Sequence, residues 1–284
     1  MKALIVGGDG MLGHVVKLYL GERGHEVRAT SRSGKADYQF DATTDLNDVE
    51  QFVDDFRPDA VINCIGILNK VAEENQALAV LVNSYLPHFL DELCVRKGVK
   101  FVHVSTDCVF EGDGIGNYTE ASPRDATSFY GRSKALGEVE NDSNLTLRTS
   151  IVGPDTNDNG VGLFQWFMNQ AGEANGFDHV YWSGVTTIQL AKAIEAAIEN
   201  NLTGLRHVVN GKKIDKYSLL ELFKKHFNKQ IEIHRKSDVV SDKSIVCTTD
   251  FDFEVPSYDQ MVKEMGEWVM SHEGLYTPSQ RVSQ

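Results

Sequence analysis

The sequence lacks the features of a membrane or nucleic-acid-binding protein. No apolar run reaches the ~18–20 residues that cross a bilayer, and the N-terminus enters a strand-like run without a signal-peptide pattern. Positive charge is also scarce: the 284 residues carry a net charge of −13, which argues against coating nucleic acid or a membrane surface. We therefore predict a cytoplasmic protein with neither a nucleic-acid nor a membrane partner.

Cysteine is sparse and scattered. Cys64, Cys94, Cys108 and Cys247 show none of the close spacings of a metal site. In a chain without export signals, such cysteines are typical of free thiols. We predict no metal site and no disulfide. The sequence contains no internal repeat or low-complexity segment, and its length suits one large domain or a closely joined pair.

Short apolar runs alternate with longer helical patterns over the first two-thirds of the chain. The predicted strands are 3–6, 25–30, 60–63, 101–105 and 145–148. The predicted helices cover 11–23, 45–56 and 72–96, and a further helix contains Tyr130. This alternation predicts an α/β fold of the Rossmann type, a doubly wound parallel sheet with helices on both faces.

The pattern loosens after Arg148. Residues 151–162 are predicted to form a loop, 207–209 a short strand, and 163–170, 187–199, 217–227 and 257–270 helices. We predict a dinucleotide-binding domain over 1–152, with about 186–211 returning to its sheet. A smaller C-terminal α+β substrate-binding lobe would comprise about 153–185 and 212–276. Residues 277–284 are predicted to be a frayed tail.

A glycine-rich turn lies between the first predicted strand and the first predicted helix. Its glycines satisfy both G-x-x-G-x-x-G and G-x-G-x-x-G, in the strand–turn–helix context that a dinucleotide site requires. Glycine lets backbone N–H groups approach a pyrophosphate, and the helix N-terminus adds its positive end. The predicted cofactor-binding residues of this turn are Gly7, Gly10, Met11, Leu12 and Gly13.

The residue after the second strand discriminates NADP from NAD. An acid there binds the ribose 2′-hydroxyl, whereas an arginine accepts a 2′-phosphate. The chain has Thr30-Ser31-Arg32-Ser33 at this point, with no acid. Arg32 therefore favours NADP(H), with NAD(H) as the alternative cofactor.

Tyr130 and Lys134 are four residues apart in SFYGRSKALGE. On a helix this spacing places phenol and ammonium on one face. At ~4 Å and an effective dielectric of ~20 their attraction is roughly 4 kcal/mol, which bounds the fall in the phenol pKa at about three units. The pair predicts a tyrosine that exchanges a proton near neutral pH, as hydride chemistry at a carbonyl requires.

Together these features resemble the extended short-chain dehydrogenase/reductases, and within them the dTDP-4-dehydrorhamnose reductase group of nucleotide-sugar reductases. The resemblance covers about residues 1–155 well and the remainder loosely. Its motifs are GGDGMLG (7–13), RPDAVINCIG (57–66), VNSYLP (82–87), VSTDCVFEG (104–112), YTEASP (118–123), YGRSKALGE (130–138) and LRTSIVGP (147–154).

The resemblance implies a role for each matching position. Thr106 would bind the substrate carbonyl oxygen, Tyr130 would donate the proton, and Lys134 would hold the nicotinamide ribose. The further cofactor-binding residues would be Asp41 and Ala42 near the adenine and Cys64, Ile65 and Gly66 after the third strand. The further substrate-binding residues would be Asp107, Cys108, Ser150 and Ile151. A homodimer is compatible with the resemblance, although no interface can be read from the sequence.

Three departures bear on the substrate. Rhamnose-pathway reductases have tyrosine where this chain has Cys108 and tryptophan where it has Ile151. The segment 182–187, WSGVTT, replaces a Gly-Ser-Pro-Thr type run. These departures argue against 4-ketorhamnose itself. They leave a related dTDP- or UDP-linked 4-ketosugar, UDP-linked N-acetyl amino sugars included.

The sequence therefore predicts NADPH-dependent reduction of the C4 ketone of a nucleotide-linked 4-keto-6-deoxyhexose, in deoxysugar or surface polysaccharide synthesis. The related dehydratases carry Thr-Asp-Glu where this chain has Thr106-Asp107-Cys108, and the epimerases carry a Ser-Ser-Ala type run. Both therefore fit less well than net reduction. A non-catalytic NADP-binding regulatory subunit on the same fold remains an alternative.

Overall fold

The computed structural model describes residues 1–157 and 160–282. Its strands are β1 (Lys2–Val6), β2 (Glu26–Ser31), β3 (Tyr38–Gln39), β4 (Ala60–Asn63), β5 (Lys100–Thr106), β6 (Leu145–Thr149), β7 (Ile151–Val152), β8 (Gly172–Phe177), β9 (Val180–Trp182), β10 (Val185–Thr186), β11 (Gly204–His207), β12 (Ile214–Asp215), β13 (Ile231–Lys236) and β14 (Ser241–Asp242).

The helices flank these strands in sequence. They are α1 (Gly13–Glu22), α2 (Asp48–Phe56), α3 (Asn69–Glu74), α4 (Gln76–Ala79), α5 (Leu86–Lys97), α6 (Phe129–Leu136), α7 (Leu163–Met168), α8 (Thr187–Glu199), α9 (Lys216–His226) and α10 (Tyr258–Ser271). Within the described ranges, no helix combines the length and apolar character needed to span a bilayer.

Seven parallel strands form the central sheet in the order β11-β6-β5-β4-β1-β2-β3. Both faces of the sheet are covered. Along β1, Ala3 and Ile5 belong to one hydrophobic core and Leu4 and Val6 to the other. A strand buried on both faces needs such a continuous apolar run. The predicted Rossmann-type fold is confirmed.

The strand order reverses between β1 and β4. From β1 the chain builds outward through β2 and β3, then returns to the other side of β1 with β4, β5 and β6. Ligands of open parallel sheets bind at the carboxyl ends of the strands where this reversal occurs. The segments after Val6, Asn63 and Thr106 therefore border one crevice.

Within the described part of the chain, three small sheets lie outside the central one. β8 pairs in parallel with β13, β9 lies between β12 and β14, and β7 pairs with β10. Most of these strands come from residues 172–182 and 212–242, which the sequence pattern left without strands. The Gly-rich strand β8 forms through its pairing with β13, about 60 residues away in the chain, so no local pattern predicts it.

Three predicted elements differ in extent or content from the structure. The long helix over 72–96 is divided: Asn75 leaves helical geometry with φ −132° and ψ 76°, and a π-helical turn (Val80–Tyr85) separates α4 from α5. The strand predicted at 207–209 is β11, at Gly204–His207. The predicted loop 151–162 contains β7, and two of its residues, 158 and 159, lie outside the described residues.

The C-terminal segment is not a frayed tail over its described part. Gln280 is fully buried. Its Oε1 accepts a hydrogen bond of 2.9 Å from the Asp155 backbone N–H, and its Nε2 donates one of 2.9 Å to the Asp155 carbonyl. Residues 283 and 284 lie outside the described residues. The segment is polar in composition, and such a composition does not indicate that one side chain, Gln280, is buried and anchors it.

Candidate active site

The glycine turn after β1 brings the start of α1 directly onto the loop. Gly7 has φ +92°, which disfavours other residues, and a Cβ there would lie 2.6 Å from Ile65 Cγ1. A Cβ at Gly13 would lie 2.0 Å from the Gly7 carbonyl oxygen. The predicted glycine motif thus forms a turn in which the backbone itself, without side chains over it, faces the crevice.

The N-terminus of α1 has the character of an anion site. No side chain caps it, and its first turn contains no acid. The His14 N–H donates to the Gly10 carbonyl at 3.1 Å, so the N–H groups of Leu12 and Gly13, which precede it, are the ones that can face an external acceptor. The helix dipole favours a negative acceptor there. Gly10 is exposed and Met11 partly so, whereas the Leu12 side chain is buried in the core. Leu12 can therefore face a ligand only with its backbone.

Arg32 follows β2 as an exposed side chain. The residue that follows β2 is thus an arginine and not an acid. The charge of Arg32 acts on Asp41. Asp41 Oδ1 accepts hydrogen bonds from the backbone N–H (2.9 Å) and hydroxyl (2.7 Å) of Thr43. These bonds, with the charge of Arg32 as a smaller cause, lower the pKa of Asp41. Arg32 and Asp41 thus lie near one another beside the glycine turn, with Ala42 buried next to them.

The segment after β4 lines the opposite side of the turn. The Cys64 N–H donates to the Val6 carbonyl at 2.9 Å, which continues the β1–β4 pairing. Burial raises the pKa of the Cys64 thiol to about 12, so the thiol is neutral and apolar in character. Ile65 packs toward Gly7, and Gly66 is exposed. All three predicted residues border the crevice.

Thr106 ends β5 and begins a 3-10 turn, Asp107–Val109. Its Oγ1 accepts a hydrogen bond of 3.2 Å from the Cys108 N–H and lies 3.2 Å from Asp107 Oδ1. Burial raises the pKa of Asp107, against the opposing charges of Lys216 and Lys243. Burial also raises the pKa of Cys108 to about 12, with the charge of Asp107 adding to it. The turn therefore presents a hydroxyl, a buried carboxyl and a neutral thiol.

Helix α6 packs closely against this turn. Ser128 caps the helix by accepting a hydrogen bond of 3.1 Å from the Gly131 N–H. A Cβ at Gly131 would lie 2.1 Å from the Cys108 carbonyl oxygen, so only glycine allows this approach. Tyr130, the residue before it, is 8% exposed, and the Thr106 side chain lies close enough to act on its phenol. Two of the predicted catalytic residues are therefore adjacent.

Lys134 lies one helical turn after Tyr130 and is 4% exposed. Its Nζ donates a hydrogen bond of 2.8 Å to the Val104 carbonyl and lies 3.3 Å from His103 Nε2. Burial lowers the pKa of Lys134 to about 8, and the charge of Glu138 acts in the opposite direction. The lysine is thus fixed against β5.

The predicted lowering of the tyrosine pKa is wrong for this structure. Burial raises the pKa of Tyr130, while the neighbouring Thr106 side chain acts in the opposite direction. Desolvation disfavours the phenolate, and the Lys134 ammonium is directed toward Val104. The phenol therefore stays protonated at neutral pH, the state of a proton donor.

Ser150 and Ile151 lie where the chain leaves the central sheet. The Ser150 carbonyl accepts a hydrogen bond of 2.8 Å from the Val185 N–H, and Ile151 begins β7. Both side chains are partly buried. They follow the carboxyl end of β6, on the same edge of the sheet as Thr106.

Two further residues support the site, and sequence reasoning did not single them out. Asn83 bonds to both the N–H and the carbonyl of Ile67 and to Ser133 Oγ, which ties the loop after β4 to α6. Lys216 begins α9, and burial lowers its pKa while the charges of Asp107 and Cys108 oppose the shift. Its Nζ lies 5.6 Å from the centre of the Trp182 ring. No motif marks Lys216, because its position depends on how α9 packs.

The parallel sheet, the glycine turn and the Tyr130–Lys134 helix define an extended short-chain dehydrogenase/reductase. The RmlD substrate binding domain family matches residues 1–244, and the chain belongs to that family.

Named relatives agree with this assignment. A probable low-salt glycan biosynthesis reductase, Agl14, from Haloferax volcanii is 36% identical over 179 residues, 58% of this chain and 59% of the relative. A dTDP-4-dehydrorhamnose reductase from Streptomyces griseus is 36% identical over 136 residues, 48% of this chain and 43% of the relative. The chain spans about half the length of the curated relatives it matches.

A solved structure shows the same fold. The crystal structure of dTDP-4-dehydrorhamnose reductase from Bacillus anthracis, in complex with NADP, superposes with a TM-score of 0.78 at 21% identity. The alignment covers 93% of this chain and 98% of that one.

Proposed function

We propose that this chain is an NADPH-dependent reductase of the C4 ketone of a nucleotide-linked 4-keto-6-deoxyhexose. The observation that carries the proposal is the convergence of Thr106, Tyr130 and Lys134 at the carboxyl end of β5, on the sheet edge that bears the glycine turn. The sugar nucleotide would bind between this edge and the substrate-binding lobe, to which we assign 153–157, 160–185 and 212–276.

The residues of the site divide the work of a carbonyl reduction. Bound NADPH supplies the hydride. Thr106 offers a fixed hydroxyl to the substrate oxygen, and Tyr130, protonated because its burial raises its pKa, gives that oxygen its proton. Lys134 lies on the same face of α6, where it would hold the nicotinamide ribose. Asp107, buried beside Thr106, would accept a hydrogen bond from a sugar hydroxyl.

The cofactor site has the features of an NADP(H) site. The close approach of Gly13 to Gly7 and the uncapped start of α1 suit a pyrophosphate. Exposed Arg32 offers a guanidinium to a 2′-phosphate. The Bacillus anthracis reductase of the same fold was solved with NADP. NAD(H) is the alternative that the binding assay below measures.

The thiol of Cys108 favours reduction over dehydration. A dehydratase needs an acid at this position to expel water. Because the pKa of Cys108 is raised to about 12, the thiol neither gives nor takes a proton readily at neutral pH. The names of the relatives, a glycan biosynthesis reductase and a dTDP-4-dehydrorhamnose reductase, support the same class of reaction.

Steady-state assays test the proposal. NADPH oxidation is followed with dTDP-4-keto-6-deoxyglucose and its UDP and GDP counterparts, and the product is identified by mass spectrometry. We expect one NADPH to be consumed for each ketosugar reduced, and one of the three nucleotide groups on the sugar to be preferred. Tight NADPH binding without turnover on any of these substrates would favour the regulatory subunit.

A further inference from the structure

A buried histidine connects the cofactor-side loop with Lys134. His103, on β5, is fully buried, as is Asn63, its register partner at the end of β4. Asn63 Nδ2 lies 3.2 Å from His103 Nδ1, and His103 Nε2 lies 3.3 Å from Lys134 Nζ. The Ile65 N–H donates to Asn63 Oδ1 at 3.1 Å. The four residues form one continuous line of polar contacts.

These contacts determine where the imidazole carries its proton. A backbone N–H only donates, so the Asn63 atom facing Ile65 is the amide oxygen, and the amide nitrogen faces His103. An amide nitrogen also only donates, so Nδ1 of His103 accepts. Burial lowers the pKa of His103 well below its usual value, so the ring is neutral. A neutral ring that accepts at Nδ1 has its proton on Nε2.

The Nε2 proton points at the Lys134 nitrogen. An ammonium has three donors and no acceptor, so it could not accept the Nε2 hydrogen across the 3.3 Å that separate the two nitrogens. An uncharged amine has a lone pair that accepts this hydrogen. We propose that His103, oriented by Asn63, is a positioning residue that presents Nε2–H to Lys134 and stabilises its uncharged amine.

Other charged groups also surround this pair. Glu138 follows α6 and favours the ammonium, His88 on α5 acts on His103, and Glu73 on α3 accepts a hydrogen bond from the Tyr130 N–H. Asp107 and Cys108 face the Tyr130 side of the helix. Any effect of these groups on the pKa of Lys134 does not depend on the tautomer of His103. The contribution of the histidine contact can therefore be tested separately.

This proposal rests on the proposed function. If Tyr130 is the proton donor, then His103 helps to determine the pH at which Lys134, beside it, loses its charge. The first measurement is the tautomer of His103 in the whole protein, read by long-range proton–nitrogen correlation spectra on 15N-histidine-labelled protein. Protonated Nε2 is expected. Protonated Nδ1 overturns the proposal. This measurement needs neither substrate nor turnover, so its result is independent of the reductase assignment.

The second measurement is the titration of Lys134 in protein labelled with [ε-13C]lysine, the signal being identified by its loss in Lys134→Met. In His103→Phe the amine loses its donor, so the pKa of Lys134 rises by about one unit. A lower or unchanged pKa contradicts the proposal, because a histidine that accepted from the ammonium would give the opposite sign. The matched control is Phe101→Leu, a change in the ring next to His103 on β5, which leaves the titration unchanged.

Discussion

Glu138 and Arg148 form an ion pair in which neither side chain is exposed. Arg148 Nε donates a hydrogen bond of 2.7 Å to Glu138 Oε1, and Arg124 contacts the same carboxylate. Ser105 Oγ donates to Glu138 at 2.6 Å, one residue before Thr106. The pair therefore supports the strand end that carries the site.

Removing one partner of this pair should lower the free energy of unfolding substantially. In Arg148→Met the carboxylate of Glu138 stays buried and keeps Arg124 and the Ser105 hydroxyl as partners. We therefore expect the free energy of unfolding to fall by about 3 kcal/mol, the lower end of the range for a broken buried pair. Urea unfolding measures this. The control Arg96→Met, an exposed arginine, should change stability little. A loss under ~1 kcal/mol for Arg148→Met would contradict the account, and Arg148→Met with Glu138→Leu should regain part of the loss.

Tyr130→Phe removes the hydroxyl that we propose as the proton donor and keeps the ring. We expect kcat to fall ~10²-fold or more, while NADPH binding, measured by fluorescence titration, stays unchanged. The matched control is Tyr85→Phe, at a tyrosine that is 55% exposed, with kcat unaltered. Full activity in Tyr130→Phe would exclude the phenol as the acid.

Arg32→Glu tests the cofactor choice. If Arg32 contacts the 2′-phosphate, reversal of its charge raises the Kd for NADPH by ~10-fold or more and leaves the Kd for NADH nearly unchanged. Lys35→Glu, in the same exposed segment, controls for the general effect of charge. Equal weakening of both cofactors would show that Arg32 does not discriminate between them.

Lys216→Met tests the side chain that α9 contributes. A largely desolvated ammonium near Asp107 suits a polar or anionic group of the substrate, so KM for the nucleotide sugar should rise ~10-fold with NADPH binding unchanged. Exposed Lys212→Met is the matched control. An unaltered KM for Lys216→Met would place that lysine outside the substrate site.

The elements predicted best are those with strong local patterns. The helix predicted at 187–199 has those bounds in the structure, because Thr186 caps it and its apolar positions repeat with helical spacing. The β1 turn was predicted because its glycine spacing is a local pattern, and the close approach of Gly13 to the Gly7 carbonyl lies within that pattern. In both cases the sequence itself contains the cause.

The features that were missed depend on packing between distant segments. The β8–β13 pair, the buried Gln280 and the position of Lys216 all require parts of the chain that are far apart in sequence. The direction of the Tyr130 pKa shift was wrong for the same reason. Spacing predicts which side chains share a helix face, whereas desolvation depends on everything packed around them.

The central claim is that this site passes hydride to a sugar ketone, with Tyr130 supplying the proton. The most direct measurement uses NADPH deuterated at nicotinamide C4 with the preferred nucleotide 4-ketosugar, and locates the label in the product by mass spectrometry and NMR. We predict one deuterium at the sugar C4. A product without deuterium at C4, or no reduced sugar with any of the dTDP, UDP and GDP substrates, would contradict the claim.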